Sequence, residues 1–356
     1  MKFIHLSDVH WNAAPDSTMP WSSERQAAIK TSFQAVISVV KKENIPLLLI
    51  SGDFIQGQPL FKDLNEINQL FTTIPDTKIV IIAGCCDYVR QNSPYLTFLW
   101  ADHVTFFTGK DCTSLYFSDL NVEVHGFSQH SPIISEPVLN HITAPWDGRI
   151  HILLAYCDQK SFDAVDTKAL QTSGFHYIAL GGIHKPGSFL ENKAAYPGSL
   201  EPLNKTEYGK HGYIAGEIGT ERLSIMHVPL SKVQYISLIL HLTPQTTNLE
   251  LNTLIRSEIE KRGVQNIYRF KLSGSHKAET TFNFDDLADS CRIVEIIDET
   301  EPEYDYNVLC KEHPHDMVGL FIRTLKKPDM DVSEKKALFY GVKALIQTTN
   351  EGKSNN

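Results

Sequence analysis

The sequence lacks several features, and each absence excludes a class of protein. No apolar run reaches the roughly 20 residues of a membrane-spanning helix, and the first residues show no signal-peptide pattern, so we expect a cytoplasmic protein without membrane segments. Cysteine is scarce, with six residues in 356, which argues for free thiols rather than a disulfide framework. No Gly-x-x-x-x-Gly-Lys-Ser/Thr loop occurs, so the chain should not bind ATP through a P-loop.

Positive charge is also in short supply. Lys and Arg number 33 against 42 Asp and Glu, which gives a formal net charge of -9. This balance excludes a uniformly basic DNA-binding surface, although it leaves room for a local groove of Lys and Arg. Contacts with DNA must therefore come from a local basic groove or from a partner protein.

What the sequence does contain is an alternation of amphipathic helices and apolar strands. A length of 356 residues predicts two domains or one domain with additions. Helices predicted over 25–43 and 61–71 alternate with apolar runs, which is typical of an α/β fold with buried strands. The apolar runs occupy residues 3–6, 46–50, 78–83, 151–157 and 177–181. In such folds the chemistry lies at the carboxyl edge of the sheet.

Polar side chains follow these strands. Asp8 and His10 come two residues apart after the first strand, and the strand period of two directs both to one side of the chain. Asp53 follows the second strand and His184 follows the last one. Carboxylate and imidazole donors together suit a divalent transition metal. An isolated Asp-x-His is more often a solvated strand end, so the prediction of a metal site depends on these later strand ends.

The ordered motifs resemble those of the calcineurin-type metallophosphoesterases and, more narrowly, those of the SbcD-type nuclease subunits and their YhaO-type relatives. The resemblance covers about residues 1–230 and extends more loosely to the end of the chain. It rests on Asp8-x-His10, Gly52-Asp53, Gly84-Cys85-Cys86-Asp87, the strand ending at Tyr156, Gly182-Ile183-His184 and Tyr196-Pro197-Gly198-Ser199. It implies an α/β fold of the metallophosphoesterase type, a four-layer αββα sandwich, in which two divalent ions share a bridging Asp.

The departures from the family pattern all fall on one of the two ions and on the catalytic His. The resemblance assigns the first ion to Asp8, His10, Asp53 and His184, all of which are present. The family's remaining ligands to the second ion correspond to Cys85, Tyr156 and Gly182, and its catalytic His corresponds to Cys86, with Asp87 retained. We therefore predict one divalent ion, Mn or Zn, or none, and no catalytic residue in the family's sense.

Three alternatives remain open for the altered positions. Cys85 could bind metal as a thiolate, which would favour zinc. Tyr156 could bind as a phenolate, although nothing in the sequence lowers its pKa from about 10. The cysteines could instead be small buried residues that fill space. His5, His125 and His176 are expected to be structural, and His151 lies on the opposite strand face from Tyr156.

The rest of the chain predicts a smaller module and a helical end. We assign residues 1–228 to the phosphoesterase domain, 229–300 to an α/β capping domain implied by the resemblance, and 301–356 to a C-terminal helical docking region. Helices are predicted over about 307–326 and 333–348, the second capped by Ser333. Leu338 and Leu345 are predicted on an apolar face that either packs on its own domain or docks a partner, and we expect the partner. In SbcD-like systems that partner is an SbcC-like coiled-coil ATPase.

The sequence thus predicts an SbcD/YhaO-like subunit of a DNA repair or defence complex, whose phosphodiesterase site is degenerate and inactive or weak. DNA contact would come mainly through the complex, and a homodimer is a further expectation. The alternative is a working Mn- or Zn-dependent DNA exonuclease, endonuclease or phosphodiesterase. A third, remoter hypothesis is a phosphate-ester sensor that binds a nucleotide without cleaving it. Whether the chain is an enzyme is left open by the sequence.

Overall fold

The computed structural model describes residues 1–134, 138–163 and 165–354. The chain divides into two units, the first comprising Met1–Ser237 with Gly263–Arg269, and the second comprising Leu238–Arg262 with the described part of Phe270–Asn356. Among the described helices, none combines the length and apolar character that crossing a membrane requires. The predicted domain boundaries after residues 228 and 300 stay predictions.

Two six-stranded sheets form the first unit. Its strands are β1 Lys2–Leu6, β2 Leu47–Ser51, β3 Lys78–Ile82, β4 Val104–Phe107, β5 Thr113–Phe117, β6 Val122–Gly126, β7 Ile150–Tyr156, β8 Tyr177–Gly181, β9 Gly187–Phe189, β10 Ala194–Tyr196, β11 Gly212–Ile218 and β12 Leu223–Pro229. The order of the first sheet is β12-β11-β1-β2-β3-β4, and that of the second is β5-β6-β7-β8-β10-β9. β1, β2 and β3 run parallel, as do β6, β7 and β8.

The two sheets face each other across a shared core, and helices cover their outer faces. The helices of this unit are α1 Ser22–Glu43, α2 Phe61–Phe71, α3 Gln159–Phe162 and α4 Thr167–Thr172. Leu49 of β2 and Leu154 of β7 are fully buried in the core between the sheets. Phe33 of α1 belongs to the core on the outer side of the first sheet, and Leu170 of α4 to that of the second. This is the predicted four-layer αββα arrangement, and the predicted α/β fold class is confirmed.

Further along the chain a four-stranded sheet carries two helices. Its elements are β13 Tyr235–Leu242, α5 Asn248–Arg262, β14 Ile267–Lys277, α6 Asp285–Ser290, β15 Ile293–Asp298 and β16 Glu301–Glu303. The order is β13-β14-β15, and β16 pairs with β14. The alternating pattern predicted β13 correctly from Tyr235 to Leu242, because every second side chain there is apolar.

The C-terminal helices differ from the prediction in number. Helices α7 Tyr306–Glu312 and α8 Met317–Leu325 replace the single helix predicted over 307–326, and α9 spans Val332–Ser354. Pro314 lies between the first two helices and cannot donate to a helical hydrogen bond, so the helix stops before it. Asp316 then starts α8 by accepting a hydrogen bond from the Gly319 amide at 3.1 Å.

Two further expectations for this region are wrong. Ser333 lies inside α9, and the cap is Asp331, which exchanges hydrogen bonds with Glu334 at 2.8 and 3.1 Å. Leu338 is 2% exposed because it packs in a cluster with Val318 and Ile322 of α8. The apolar stripe of α9 therefore forms the helices' own core, and Leu338 is unavailable to a partner.

Candidate metal centre

The carboxyl ends of β1 and β2 bring two acidic loops together. Because these strands are parallel neighbours with Leu6 opposite Ile50, the residues that follow each strand meet at one edge of the sheet. The amide of Asp8 donates to the Gly52 carbonyl at 3.1 Å, and the amide of His10 donates to the Asp53 carbonyl at 3.0 Å. Backbone hydrogen bonds alone therefore join the loop after β1 to the loop after β2.

Three candidate ligands have a left-handed backbone. The φ angles of Asp8, His10 and Asp53 are 49°, 50° and 46°. Such conformations cost non-glycine residues of order 1–3 kcal/mol each and persist where the surrounding structure enforces them. Here they turn side chains from two loops toward one point, so the strain accompanies the assembly of a site.

His10 lies near each of the other three predicted ligands of the first ion. His10 Nε2 lies 3.2 Å from His184 Nε2 and 3.9 Å from an oxygen of Asp53. His184 Nε2 lies 3.8 Å from an oxygen of Asp8. Two imidazole nitrogens this close need a cation or a proton between them. The donor atoms of Asp8, His10 and His184 lie within 4.8 Å of one another, and those of His10 and Asp53 form a second such group with the sulfur of Cys86. Carboxylate and imidazole donors in such groups suit a divalent ion.

Two residues outside the motifs orient the histidines. The side-chain oxygen of Gln56 accepts a hydrogen bond from His10 Nδ1 at 2.8 Å, and Glu207 accepts one from His184 Nδ1 at 2.9 Å. Each bond fixes the ring so that its Nε2 lone pair faces the common point, which is how metal-binding histidines are usually supported. Sequence reasoning missed both residues. Gln56 lies three positions after Asp53, and this proximity to a predicted ligand was a weak indication of a role at the site. The sequence around Glu207 gave no such indication.

The electrostatics of the cluster favour a cation. Burial raises the pKa of Asp8, and burial together with the charge of Asp8 raises the pKa of Asp53. Burial lowers the pKa of His10. Burial would also lower the pKa of His184, but its hydrogen bond to Glu207 and the charge of Asp8 raise it to about 9. A divalent cation at the common point would relieve the repulsion between the carboxylates and displace the proton of His184.

Tyr156 shares one carboxylate oxygen of Asp53 with the candidate metal centre. Its hydroxyl donates at 2.7 Å to Oδ2, the same oxygen that lies 3.9 Å from His10 Nε2. Its ring fills a space lined by three glycines, since a Cβ on Gly52, Gly84 or Gly182 would lie 2.5, 2.6 or 3.0 Å from a ring atom. Burial and the charge of Asp53 raise the pKa of Tyr156 far above 10. The residue is therefore a neutral hydrogen-bond donor, which argues against a phenolate ligand.

The two cysteines take different positions. Cys85 packs against the core between the sheets, and burial raises its pKa to about 12, which disfavours the thiolate considered for it. Cys86 instead has its sulfur grouped with donor atoms of His10 and Asp53, all within 4.8 Å of one another. Its amide also donates to Asp53 at 2.8 Å. Burial and the charge of Asp53 raise the pKa of Cys86 as well, so it would become a ligand only if a metal displaced its proton.

Asp87 holds the loops of the site in place. One carboxylate oxygen accepts from the amide of Phe54 at 3.0 Å and from the hydroxyl of Tyr95 at 2.9 Å. The other accepts from the amide of Gly84 at 2.8 Å. Because Asp87 is fully buried and occupied by these donors, it positions the loops after β2 and β3 and is not free to bind a substrate.

Comparison with known proteins agrees with this geometry. The family model of the calcineurin-like phosphoesterases matches residues 1–186, which is just over half of the chain and carries all four candidate ligands. The chain is also similar to the DNA double-strand break repair protein Mre11 of Aeropyrum pernix, with 26% identity over 235 residues, covering 59% of this chain and 56% of that protein. It thus spans a little over half the length of this relative. The match to the family model and the assembled ligand set together show that the chain belongs to the calcineurin-like phosphoesterase family.

Proposed function

We propose that this protein is an SbcD/YhaO-like subunit of a DNA-processing complex whose phosphoesterase site binds one divalent ion and is inactive or weakly active. One observation carries the proposal. The hydroxyl of Tyr156 is bonded to Asp53 and its ring fills the glycine-lined space, where the family resemblance would place a second ion. The donors that remain suffice for one ion only.

The chain's own residues define what such a site could do. Asp8, His10, Asp53 and His184 would hold the ion, which would supply a charge that binds a phosphate oxygen and polarises water. Gln56 and Glu207 keep the two imidazoles aimed inward. Tyr156 neutralises part of the charge on Asp53 and blocks the space beside it. Since two ions are needed to clamp both the attacking and the leaving oxygen, this arrangement favours binding over cleavage.

A zinc-dependent phosphodiesterase is the second candidate. The sulfur of Cys86 lies with His10 and Asp53 in one donor group, and a thiolate ligand would favour zinc over manganese. This alternative keeps one ion and gives it a different set of ligands.

The role in DNA processing follows from the relative and from the charge. The relative's name assigns it to double-strand break repair, and we extend that role to this chain. A net charge of -9 argues that DNA is held mainly by a partner, for which we propose an SbcC-like coiled-coil ATPase. Residues 229–300 would cap the site and residues 301–356 would dock the partner. Self-association would use the exposed Leu60, Phe61 and Leu99.

Metal stoichiometry tests the one-ion site. After loading with manganese and removal of free ion, elemental analysis of the full chain should give at most one manganese per chain. The Asp53→Asn variant should bind less manganese, because it replaces a charged carboxylate ligand by a neutral amide. The matched control is Asp119→Asn, which removes an exposed carboxylate paired with Lys78 and should leave the count unchanged. Two tightly held manganese ions in the unaltered chain would refute the proposal.

Partner docking can be tested on the exposed side of the C-terminal helices. Leu320 of α8 and Tyr340 of α9 are 52% and 56% exposed, in contrast to Leu338. Leu320→Asp and Tyr340→Asp should abolish co-purification with an SbcC-like ATPase while leaving the helical content unchanged. Leu338→Asp is the contrasting variant and should disrupt the helical cluster itself. Unimpaired binding by both exposed-site variants would place the interface elsewhere.

A further inference from the structure

A second group of metal-ligating side chains lies on the outer face of the second sheet. Glu123 and His125 are two residues apart on β6, so both point to the same side. His151 lies on β7 directly opposite Glu123. This face packs against α4, whereas Tyr156, five residues after His151, points into the core between the sheets. The group is therefore distinct from the phosphoesterase site.

The three donors converge closely. His125 Nε2 lies 3.0 Å from His151 Nδ1, and His151 Nδ1 lies 3.9 Å from an oxygen of Glu123. The three donor atoms all lie within 4.8 Å of one another. The side chain of His151 is 1% exposed and that of Glu123 is 13% exposed, so the group is sheltered but can be reached from solvent.

The surroundings of His151 prepare it as a ligand. Its Nε2 donates to Asp147 at 2.9 Å, which leaves the Nδ1 lone pair facing the other two donors. Its backbone amide donates to His176 Nδ1 at 3.0 Å, which anchors the start of the strand. A carboxylate behind a histidine in this way is the usual support for a metal-binding imidazole.

We propose that Glu123, His125 and His151 form a zinc site. Two imidazoles and one carboxylate are a common ligand set for zinc with one position left to water. Manganese prefers oxygen donors and should bind this site poorly. The bound ion would join β6 to β7 and take the place of the proton that His125 and His151 otherwise share.

One neighbour opposes the ion. The guanidinium of Arg149 donates to Glu123 at 2.8 Å and lies 3.4 Å from Asp147. Its side chain is 39% exposed, so it can swing aside or keep a weaker contact with the same carboxylate. Ser114 donates to the other oxygen of Glu123 at 2.6 Å and does not interfere. Zinc must compete with Arg149, so we expect affinity below that of a site without a nearby cation.

The test is a zinc count on four forms of the chain. The unaltered protein should bind two zinc ions, and His10→Ala/His184→Ala, which removes the phosphoesterase ligands, should keep one. Glu123→Gln/His125→Asn should lose one ion relative to the unaltered protein. His176→Asn is the matched control, because an asparagine oxygen can replace Nδ1 as the acceptor for the His151 amide and zinc binding should not change.

X-ray absorption at the zinc edge of His10→Ala/His184→Ala protein gives a readout that does not need the outer-site variants to fold. Scattering from two imidazoles is expected. Fewer than two imidazoles, no zinc in this variant, or an unchanged count in Glu123→Gln/His125→Asn would overturn the proposed site. Failure of the one-ion phosphoesterase proposal looks different, since the unaltered protein would then hold more or fewer than two zinc ions while His10→Ala/His184→Ala protein still kept one.

Discussion

The protein supplied with manganese is expected to cleave DNA at most slightly faster than its Asp53→Ala variant. Removal of one well-placed electrostatic donor commonly costs a reaction about a hundredfold to a thousandfold. The family resemblance places donors at four positions that are Cys85, Cys86, Tyr156 and Gly182 in this chain. The measurement is the rate of nucleotide release from single- and double-stranded DNA, with bis(p-nitrophenyl) phosphate as a small substrate. Robust cleavage that Asp53→Ala abolishes would contradict the degenerate-site proposal.

Reintroducing the family's side chains provides the positive control, and the structure decides which ones to change. Gly182 has a φ of +105°, and a Cβ there would lie 3.0 Å from the Cys157 carbonyl and 3.0 Å from the Tyr156 ring. Histidine at this position is therefore strained even without the tyrosine. Cys85→Asn/Cys86→His/Tyr156→His avoids that strain and opens the space beside Asp53. We expect this triple variant to bind manganese more tightly than the unaltered protein. Adding Gly182→His should raise the rate of cleavage further only if the chain tolerates a side chain at that position.

Replacement of Arg25 by methionine is expected to destabilise the phosphoesterase unit by about 3–5 kcal/mol, because removing one member of a buried ion pair leaves an uncompensated charge. Arg25 of α1 donates to Glu201 at 3.1 Å, and the two side chains are 1% and 0% exposed. Arg25 also donates to the Pro202 carbonyl at 2.6 Å. The pair ties α1 to the loop that follows β10, which lies on the same unit as the metal centre.

The same helix supplies a matched control for Arg25→Met. Lys30 pairs with Glu66 at 2.8 Å, but these side chains are 31% and 44% exposed, so Lys30→Met should cost at most about 1 kcal/mol. Chemical denaturation followed by far-ultraviolet circular dichroism would measure the free energy of unfolding of both variants. If Arg25→Met and Lys30→Met lowered the free energy of unfolding equally, the buried ion pair would contribute no more to stability than the exposed one. Arg25→Met/Glu201→Met should be more stable than Arg25→Met alone.

The sequence by itself determined the fold class and the strand ends that carry the candidate ligands. Strands buried on both faces are continuous apolar runs, and a ligand placed directly after such a strand lies at the sheet edge wherever the strand sits in the sheet. Asp8, His10 and Asp53 follow adjacent strands of one sheet and could therefore be predicted as neighbours without coordinates. His184 follows a strand of the second sheet, and only the family resemblance placed it with them. Helix α2 and strand β13 could also be predicted from local sequence, because the spacing of their apolar residues, about 3.6 in the helix and two in the strand, is visible in consecutive residues.

The tertiary structure alone decided how the altered positions are used. Tyr156 and Asp53 are 103 residues apart, and their hydrogen bond depends on how the two sheets face each other. For the same reason Cys86, rather than the Cys85 considered from the sequence, lies in a donor group with His10 and Asp53. Glu207 reaches His184 only because the loop after β10 folds back over the site.

The sequence pattern also could not show which neighbours bury a given side chain. An amphipathic stripe on α9 shows that a face must be covered, but either a partner or α8 could cover it, and the structure assigns Leu338 to α8. Likewise, the sequence predicts a structural role for His125 and does not show which side chains lie beside it. Pairing β6 with β7 in register set His151 opposite Glu123, and cross-strand register is a long-range property that local sequence does not specify.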